Sequence, residues 1–386
     1  MRLMNSGIAK AVLDGTHRVR SPEETWEWIR PKLRRLGITR VADVTWLDEI
    51  GIPVFQAVRP NALTLSVSQG KGISPILARV SAVMESVELW HAEHPRPTAH
   101  TVATIGEMEH ELPYQVSDLP RAERHCLNSD TRLAWRRADR VDGGASTFIP
   151  ADLVRLDGRV KARWHPPQFH ATSNGLASGN VLGEALLHGM YEVVERDSLA
   201  RENRAGRPSP IDLATVGNAY VGVLLELFHA AQVQVVVRHF ANPYGIPTFD
   251  AQIWNVSFPV VFRGVGTHLD AGVALSRALT EAAQSRVTAI AGARDDIGGS
   301  LYRNARAFGI RRSSWRVADS HDHPPISFES IESLRLPDLD AEVAEVAGRI
   351  RDVTGCFPLY VDLTQSDIGV PVAHVVCPGT RFDPGR

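Results

Sequence analysis

The chain has 386 residues, 44% of them hydrophobic, enough for one large domain or two modest ones around a buried core. Lys and Arg number 42 against 44 Asp and Glu, for a formal net charge of -2, a balance that excludes a generic nucleic-acid binder. Cys126, Cys356 and Cys377 are far apart with no CxxC pair, which excludes a disulfide framework or zinc ribbon and fits a reducing, cytoplasmic setting.

From the N-terminus, MRLMNSGIAKAVLDGTHR carries no apolar run of signal-peptide length. Nowhere do about 18 apolar residues follow one another, so no membrane span is expected. Residues 21–36, SPEETWEWIRPKLRRL, read as a helix that Gly37 stops. Ser21 is its N-cap, Pro22 suits the first turn and Glu24 completes a capping box. Strands are expected at 40–44, 53–58 and 62–68, then a glycine-rich turn, SQGKG, and a helix at 75–91. Residues 95–170 are less regular, with a short strand at 147–149. A long helix covers 183–196 and closes near 201–210. Two strand–helix alternations follow near 212–240 and 250–290. Residues 292–326 read as an exposed loop. A last helix at 339–353 precedes two closing strands, FPLYVDL and VPVAHVVCP. The sum is α+β, without the regular period of a doubly wound sheet. No repeat of solenoid period occurs.

The strongest chemical signal lies in GEALLHGMYEVVER (183–196). With about 100° per residue, Glu192 falls about 80° and Glu195 about 20° from Glu184, so three carboxylates share a face. Leu186, Leu187, Met190, Val193 and Val194 take the other side. A solvated amphipathic face is the ordinary explanation of such acids. Here no Lys or Arg lies between them to form i,i+4 pairs, and stacked like charges call for a cation. In the helix at 75–91, Ser81, Glu85 and Glu88 repeat the design, with Val83, Met84, Val87 and Trp90 roughly opposite. In a third helix, at 274–290, Arg277, Glu281 and Gln284 share a face.

Magnesium prefers hard oxygen ligands, commonly carboxylates together with phosphates. Two facing acidic helices could therefore clamp a triphosphate through metal ions, with basic side chains neutralising phosphate charge. Lys71 is a candidate because glycines expose backbone N–H groups to an anion, although an isolated turn lysine is the plainer reading and SQGKG lacks P-loop spacing.

Other constellations carry less. His165 and His170, in WHPPQFH, lack the further Cys or His of a zinc site. His188 lies within the acidic face and could bond a carboxylate, and His268 is expected to orient a turn. The GVG at 264–266 is no dinucleotide fingerprint. Cys377 reads as buried, and no Ser-His-Asp arrangement is defensible.

The stretches SQGKGISPILARVSAVMESVELWHAEHP (68–95), SNGLASGNVLGEALLHGMYEVVERDSLARENR (173–204), GVGTHLDAGVALSRALTEAAQSRVTAIAGARDD (264–296) and PVAHVVCPG (371–379) together resemble the YcaO family, in the family's order. The resemblance implies that family's ATP-binding fold, with mixed sheets packed against helices and ATP and Mg2+ as cofactors. It implies an N-terminal helix–strand element, residues 1–60, that contributes to the nucleotide site, and a catalytic domain over 61–386. Carried over by motif, Glu85, Glu88, Glu192 and Glu195 would hold Mg2+, with Glu184 close by. Lys71, Ser81, Asn180, Arg196, Arg277, Glu281 and Gln284 would line the nucleotide site. GTHRVRSPEET nominates Arg18 and Thr25, which could equally belong to helix entry. No nucleophile of the chain itself is assigned.

The family's mechanism would be phosphoryl transfer to a backbone amide oxygen after a nucleophile adds to the carbonyl. Sulfide would give a thioamide, a Cys or Ser side chain an azoline, and an amine an amidine. The substrate would be a ribosomally made precursor peptide or a protein. Two departures bear on this. Many members have Glu-Arg where this chain has Glu88-Leu89, so a phosphate contact is missing or supplied elsewhere. The end, GTRFDPGR, lacks the proline-rich tail of azoline-forming members. HRxxxPxxT, GITRVADVTWLD and VMESVELWHAEHP are most similar to members paired with a TfuA-like partner, which are associated with thioamides. A non-catalytic peptide-recognition subunit is the alternative from another class, and the reading leaves room for a homodimer.

Overall fold

The computed structural model describes residues 10–382 except 14, 97–100, 160–165, 206–207, 295, 300 and 304–323. His165, most of the 292–326 loop and the last residues of GTRFDPGR therefore lie outside the described residues. A hairpin of β1 (Ala11–Leu13) and β2 (Thr16–Arg18) leads to α1 (Pro22–Ile29). The capping box forms: Glu24 N–H donates to Ser21 Oγ at 3.1 Å, and Ser21 N–H to Glu24 Oε2 at 2.8 Å. The helix is shorter than its pattern. After Ile29 a 3-10 turn takes over at Arg30–Lys32, because Pro31 cannot donate the next helical hydrogen bond.

Next come β3 (Arg40–Asp43), β4 (Val54–Val58), β5 (Val67–Lys71) and α2 (Pro75–Glu93). The third strand is displaced from the expected 62–68: SQGK of the expected turn is strand, and Gly70 pairs with Phe55. Glycine serves here for close approach rather than for bending. A Cβ on Gly70 would lie 2.0 Å from Ala82 N and 2.2 Å from Ala78 O, so only glycine lets α2 settle onto β5. Because β4 pairs with β5, residues before and after 60 share one sheet.

Residues 95–170 hold more order than their pattern suggested. They contain β6 (Thr101–Thr104), the one-turn α3 (Ile105–Met108), the nine-residue β7 (Arg132–Arg140) and β8 (Thr147–Pro150). After β9 (Leu176–Ser178), α4 runs from Leu182 to Ala205, closing within the expected 201–210. Then follow β10 (Ser209–Asp212), α5 (Ala219–Ala230), β11 (Gln234–His239), β12 (Thr248–Trp254), β13 (Phe262–Thr267) and α6 (Ala271–Ala291). The described chain closes with β14 (Ile326–Ser327), α7 (Leu339–Thr354), β15 (Leu359–Asp362) and β16 (Val372–Val376).

The strands form β3-β4-β5, β13-β12-β11-β10-β14 and β6-β7-β15-β16-β9, the last with β8 beside β7. Pairing is antiparallel throughout except for β10 with β14. One core joins α2 to the first and last of these sheets, a second joins α5 and α6 to the β13-containing sheet, and a third joins α4, α7 and β16. No helix among the described residues is long and apolar enough to cross a membrane.

Two parts of the fold repeat each other. In each, an antiparallel three-strand meander is followed by a helix that lies on its last strand. Gly264 on β13 meets α6 as Gly70 meets α2: its Cβ would lie 2.2 Å from Ala282 N and 2.3 Å from Ala278 O. Ala278 and Ala282 thus correspond to Ala78 and Ala82. Self-similarity at this separation, with little shared sequence, is not visible as a short-period repeat.

Candidate functional site

A cavity of about 690 Å³ opens where α2, α4 and α6 converge, within the size range of small-molecule sites. Every site residue expected from the sequence lines it: Arg18, Thr25, Lys71, Ser81, Glu85, Glu88, Asn180, Glu184, Glu192, Glu195, Arg196, Arg277, Glu281 and Gln284.

The carboxylates are oriented by backbone amides of strands and loops around the cavity, for Glu88 from β9 rather than from the strand ahead of its own helix. Gln69 N–H donates to Glu85 Oε2 at 3.0 Å, and Ser178 N–H to Glu88 Oε1 at 2.8 Å. Gly175 N–H donates to Glu192 Oε2 at 3.3 Å, and Val265 N–H donates to Glu281. For Glu85, Glu88 and Glu192 one oxygen is thereby fixed, and the other belongs to the cavity. This is how outer partners aim metal-ligating carboxylates.

Glu184 differs. Its Oε1 accepts from Val19 N–H at 2.6 Å and its Oε2 from the backbone and side-chain amides of Asn180, at 2.8 and 3.1 Å. Thr25 Oγ1 lies 2.9 Å from Asn180 Oδ1. Thr25, Asn180 and Glu184 therefore tie the N-terminal segment to the start of α4. The capping box is made by Ser21 and Glu24, and the Thr25 hydroxyl lies 2.9 Å from Ser21 O as well as from Asn180 Oδ1, so Thr25 serves helix entry and this tie together.

Electrostatics divide the cavity. Burial pushes Glu88 up to about 8, with Glu85 adding to the rise. Burial also pushes Glu192 and Glu195 up to about 7, and Glu281 raises both. Glu85 is raised by burial as well. Crowded, desolvated carboxylates hold protons that a divalent cation would displace. Glu281 behaves oppositely. Burial works against its charge, but Lys71 and Arg196 overturn this and hold it below the ordinary range; Lys71 Nζ donates to Glu281 Oε2 at 2.7 Å.

On the other side, burial and then Arg18 push Arg277 down to about 10. Among the described residues the polar contact of Arg277 is a weak one, 3.4 Å to Thr267 O. Burial, then Arg277, Arg18 and Lys71, hold His188 well below its usual range, so His188 is neutral and gives no charged bond to a carboxylate. Two crowded arginines facing a cluster of buried carboxylates with raised pKa values suit an anion that brings its own cations. The donor set, hard carboxylate oxygens with one oxygen of Glu85, Glu88 and Glu192 held by a backbone amide, fits Mg2+.

Several expectations need correcting. The acidic faces do have basic neighbours: Arg196 beside Glu192 and Glu195 on α4, Lys71 from β5, and Arg294 acting on Glu85 from beyond α6. Arg294 and Ile297 line the cavity, although 292–326 read as exposed loop. Met84, placed opposite the acids on the wheel, also lines the cavity. Gln69, Tyr191 and Thr288 line it too and were missed, because nothing in their spacing sets them apart.

His268 orients the entry of α6, as expected: Asp270 N–H donates to its Nδ1 at 2.9 Å. The His268 proton therefore sits on Nε2, 3.3 Å from Glu342 Oε1. His17, His268 and Glu342 cluster within 4.8 Å. Lys10 and the Tyr191 hydroxyl also occupy Glu342, so its carboxylate is already engaged by the protein, while His17 Nδ1 is buried without a hydrogen-bond partner among the described residues. Cys377 is buried.

A family profile described as YcaO cyclodehydratase, ATP- and Mg2+-binding, matches residues 69–381. The chain is 41% identical to the uncharacterized protein in the tfuA 3′ region of Rhizobium leguminosarum bv. trifolii, over 96% of this chain and 90% of that protein. Among solved structures, it resembles YcaO from Methanopyrus kandleri bound with AMPPCP and Mg2+. The TM-score is 0.72 at 24% identity, covering 96% of this chain and 94% of that one. It also resembles a heterocyclase in complex with substrate and cofactor, with a TM-score of 0.75 at 21% identity. That match covers 97% of this chain but only 55% of the heterocyclase, so the chain spans about half its length.

Proposed function

The chain belongs to the YcaO family, with ATP and Mg2+ as its cofactors, and from that premise we propose that it activates a backbone amide of a precursor peptide or protein and installs a thioamide. The observation that carries ATP-dependent activation is the divided cavity: raised carboxylates on α2 and α4 face Arg18 and Arg277. In this reading Glu85, Glu88, Glu192 and Glu195 hold Mg2+, whose chemistry is to neutralise and align the phosphates. Arg18, Lys71, Arg196 and Arg277 face the phosphates. Ser81, Thr25, Asn180, Glu281 and Gln284 complete the nucleotide site, and Glu184 positions the N-terminal element that delivers Arg18. The work of the chain is positioning and charge stabilisation.

The reaction balances as follows. Hydrosulfide, or an equivalent sulfur donor, adds to the amide carbonyl carbon. The resulting oxyanion takes the terminal phosphoryl group of ATP and releases ADP. The S–H proton is then lost to the departing phosphate or to solvent as the C–O bond breaks, inorganic phosphate leaves and C=S forms. The thioamide outcome rests on the relative named for the tfuA 3′ region, and a TfuA-like protein is the proposed partner for sulfur delivery. The test incubates the chain with Mg-ATP, a candidate precursor peptide, sulfide and the TfuA-like partner, and reads the peptide by mass spectrometry. Exchange of one oxygen for one sulfur supports the proposal.

Loss of one water without sulfur instead supports azoline formation, the second reading, which the cyclodehydratase description of the family favours. A non-catalytic recognition subunit is disfavoured by the intact set of carboxylates. It would bind the peptide without consuming ATP.

A further inference from the structure

The two acidic helices differ at one position. On α4 the pair Glu192 and Glu195 is followed by Arg196, which Glu195 and Glu192 hold charged against the cost of burial. On α2 the pair Glu85 and Glu88 is followed by Leu89, whose side chain is buried in the core. The α2 acids therefore lack the cation that α4 carries on its own backbone.

The structure supplies a cation beside Glu85 from another element. Gly292 ends α6 in the left-handed region, at φ 59°, a conformation glycine adopts freely. The turn carries Arg294 back to the cavity wall, beside Glu85. Asp296 accepts from Arg294 Nε at 2.8 Å and also takes Nη2. A guanidinium gripped along one edge presents its remaining edge in a fixed direction, and the planar fork matches phosphate oxygens.

We propose that Arg294 binds a phosphate of the Mg-bound nucleotide on the α2 side of the cavity, in place of the arginine that α2 lacks, with Asp296 as its positioning residue. This rests on the ATP-dependent reading of the site and adds a ligand contact to it. Arg294 does more than balance Glu85. It contacts the terminal phosphates, so its loss must discriminate between nucleotides by phosphate number.

The test measures dissociation constants, with Mg2+ present, for a non-hydrolysable ATP analogue and for AMP, together with peptide-dependent ATP turnover. For Arg294→Gln the expected result is about tenfold or greater weakening for the ATP analogue, the scale of one lost charge-assisted contact. AMP affinity should be unchanged and turnover should fall at least as far. Arg294→Lys keeps the charge and should recover part of the loss. Asp296→Asn, which leaves the arginine but loosens it, should show a smaller loss in the same direction. Equal affinity of wild type and Arg294→Gln for the ATP analogue overturns the inference and leaves the reading of the site intact. Equal weakening for AMP and the analogue also overturns it, since that marks a structural role. A wild-type chain with no affinity for the analogue overturns both.

Discussion

The two meander-plus-helix units hold the same scaffold and carry opposite chemistry. α2 on β5 and α6 on β13 pack through the same glycine–alanine contacts. Equivalent turns of both helices face the cavity: Leu77 and Arg277, Ser81 and Glu281, Met84 and Gln284, Glu85 and Ser285, Glu88 and Thr288. Where α2 offers acids, α6 offers hydroxyls. Where α2 offers apolar side chains, α6 offers an arginine and an amide. The backbone is thus duplicated while the chemistry is divided, and in the proposed function the carboxylates of α2 would hold metal while α6 would meet the anionic and polar parts of the ligand. A few substitutions on a fixed frame suffice, because helix faces at i, i+3, i+4 and i+7 stay aimed at the same space.

The largest effect should come from the acids. Glu85→Gln, Glu88→Gln, Glu192→Gln and Glu195→Gln should each lower ATP turnover by about a hundredfold or more, the scale seen when charge stabilisation at a reacting centre is lost. Thermal melts should show the fold kept, since each removes a strained buried charge. The equivalent α6 positions set the contrast. Ser285→Ala, which removes a 3.0 Å bond to Arg263 O, should leave turnover near wild type. Turnover as low as in Glu85→Gln would erase the division of labour.

pH sharpens the same contrast, because the acidic side titrates. Glu88 near 8 and Glu192 and Glu195 near 7 are raised above the ordinary carboxylate range by burial. Between that range and about 8 the folded protein binds more protons than the unfolded chain. Metal-free stability should therefore fall as pH rises through this window. Mg2+ needs the deprotonated form, so its affinity should rise by about tenfold or more from pH 6 to pH 8. Melting curves at several pH values, with and without Mg2+, read both trends. A metal-free melting temperature that rises over that window would be wrong in sign.

The scaffold itself should respond symmetrically. Gly70→Ala and Gly264→Ala each force a Cβ into helix backbone and should each cost about 1–3 kcal/mol or more of stability, read from denaturant titrations. A large loss at one site only would mean the two units are not held alike. The smallest effect is expected at the bond between Ser285 and Arg263, about 1 kcal/mol for a single neutral hydrogen bond.

Helix faces were legible in the sequence because Glu85 and Glu88, like Glu192 and Glu195, stand three residues apart on an amphipathic helix with no Lys or Arg between them. Glu85, Glu88, Glu192 and Glu195 accordingly converge as the pattern implies. Gly70 reads as part of a turn because composition alone does not separate a turn from a close approach, and Gly70, like Gly264, is of the second kind. In RLAWRRADR, Leu133 and Trp135 alternate inward, but the surrounding charge hid β7. Arg294 was invisible for a different reason. Its position depends on the reversal at Gly292, and the ARDD run around it has the composition of a solvent loop. The duplicated frame was hidden because only glycine, alanine and spacing recur, while the cavity residues were replaced.

The central claim is that the carboxylates of α2 and α4 hold the metal through which the nucleotide binds. It is tested most directly by calorimetric titration of a non-hydrolysable ATP analogue, with and without Mg2+, into the wild type and a Glu85→Gln, Glu192→Gln double variant. The account predicts strong Mg2+-dependent binding by the wild type and loss of that dependence in the folded double variant. Undiminished Mg2+-dependent binding by the variant would contradict it.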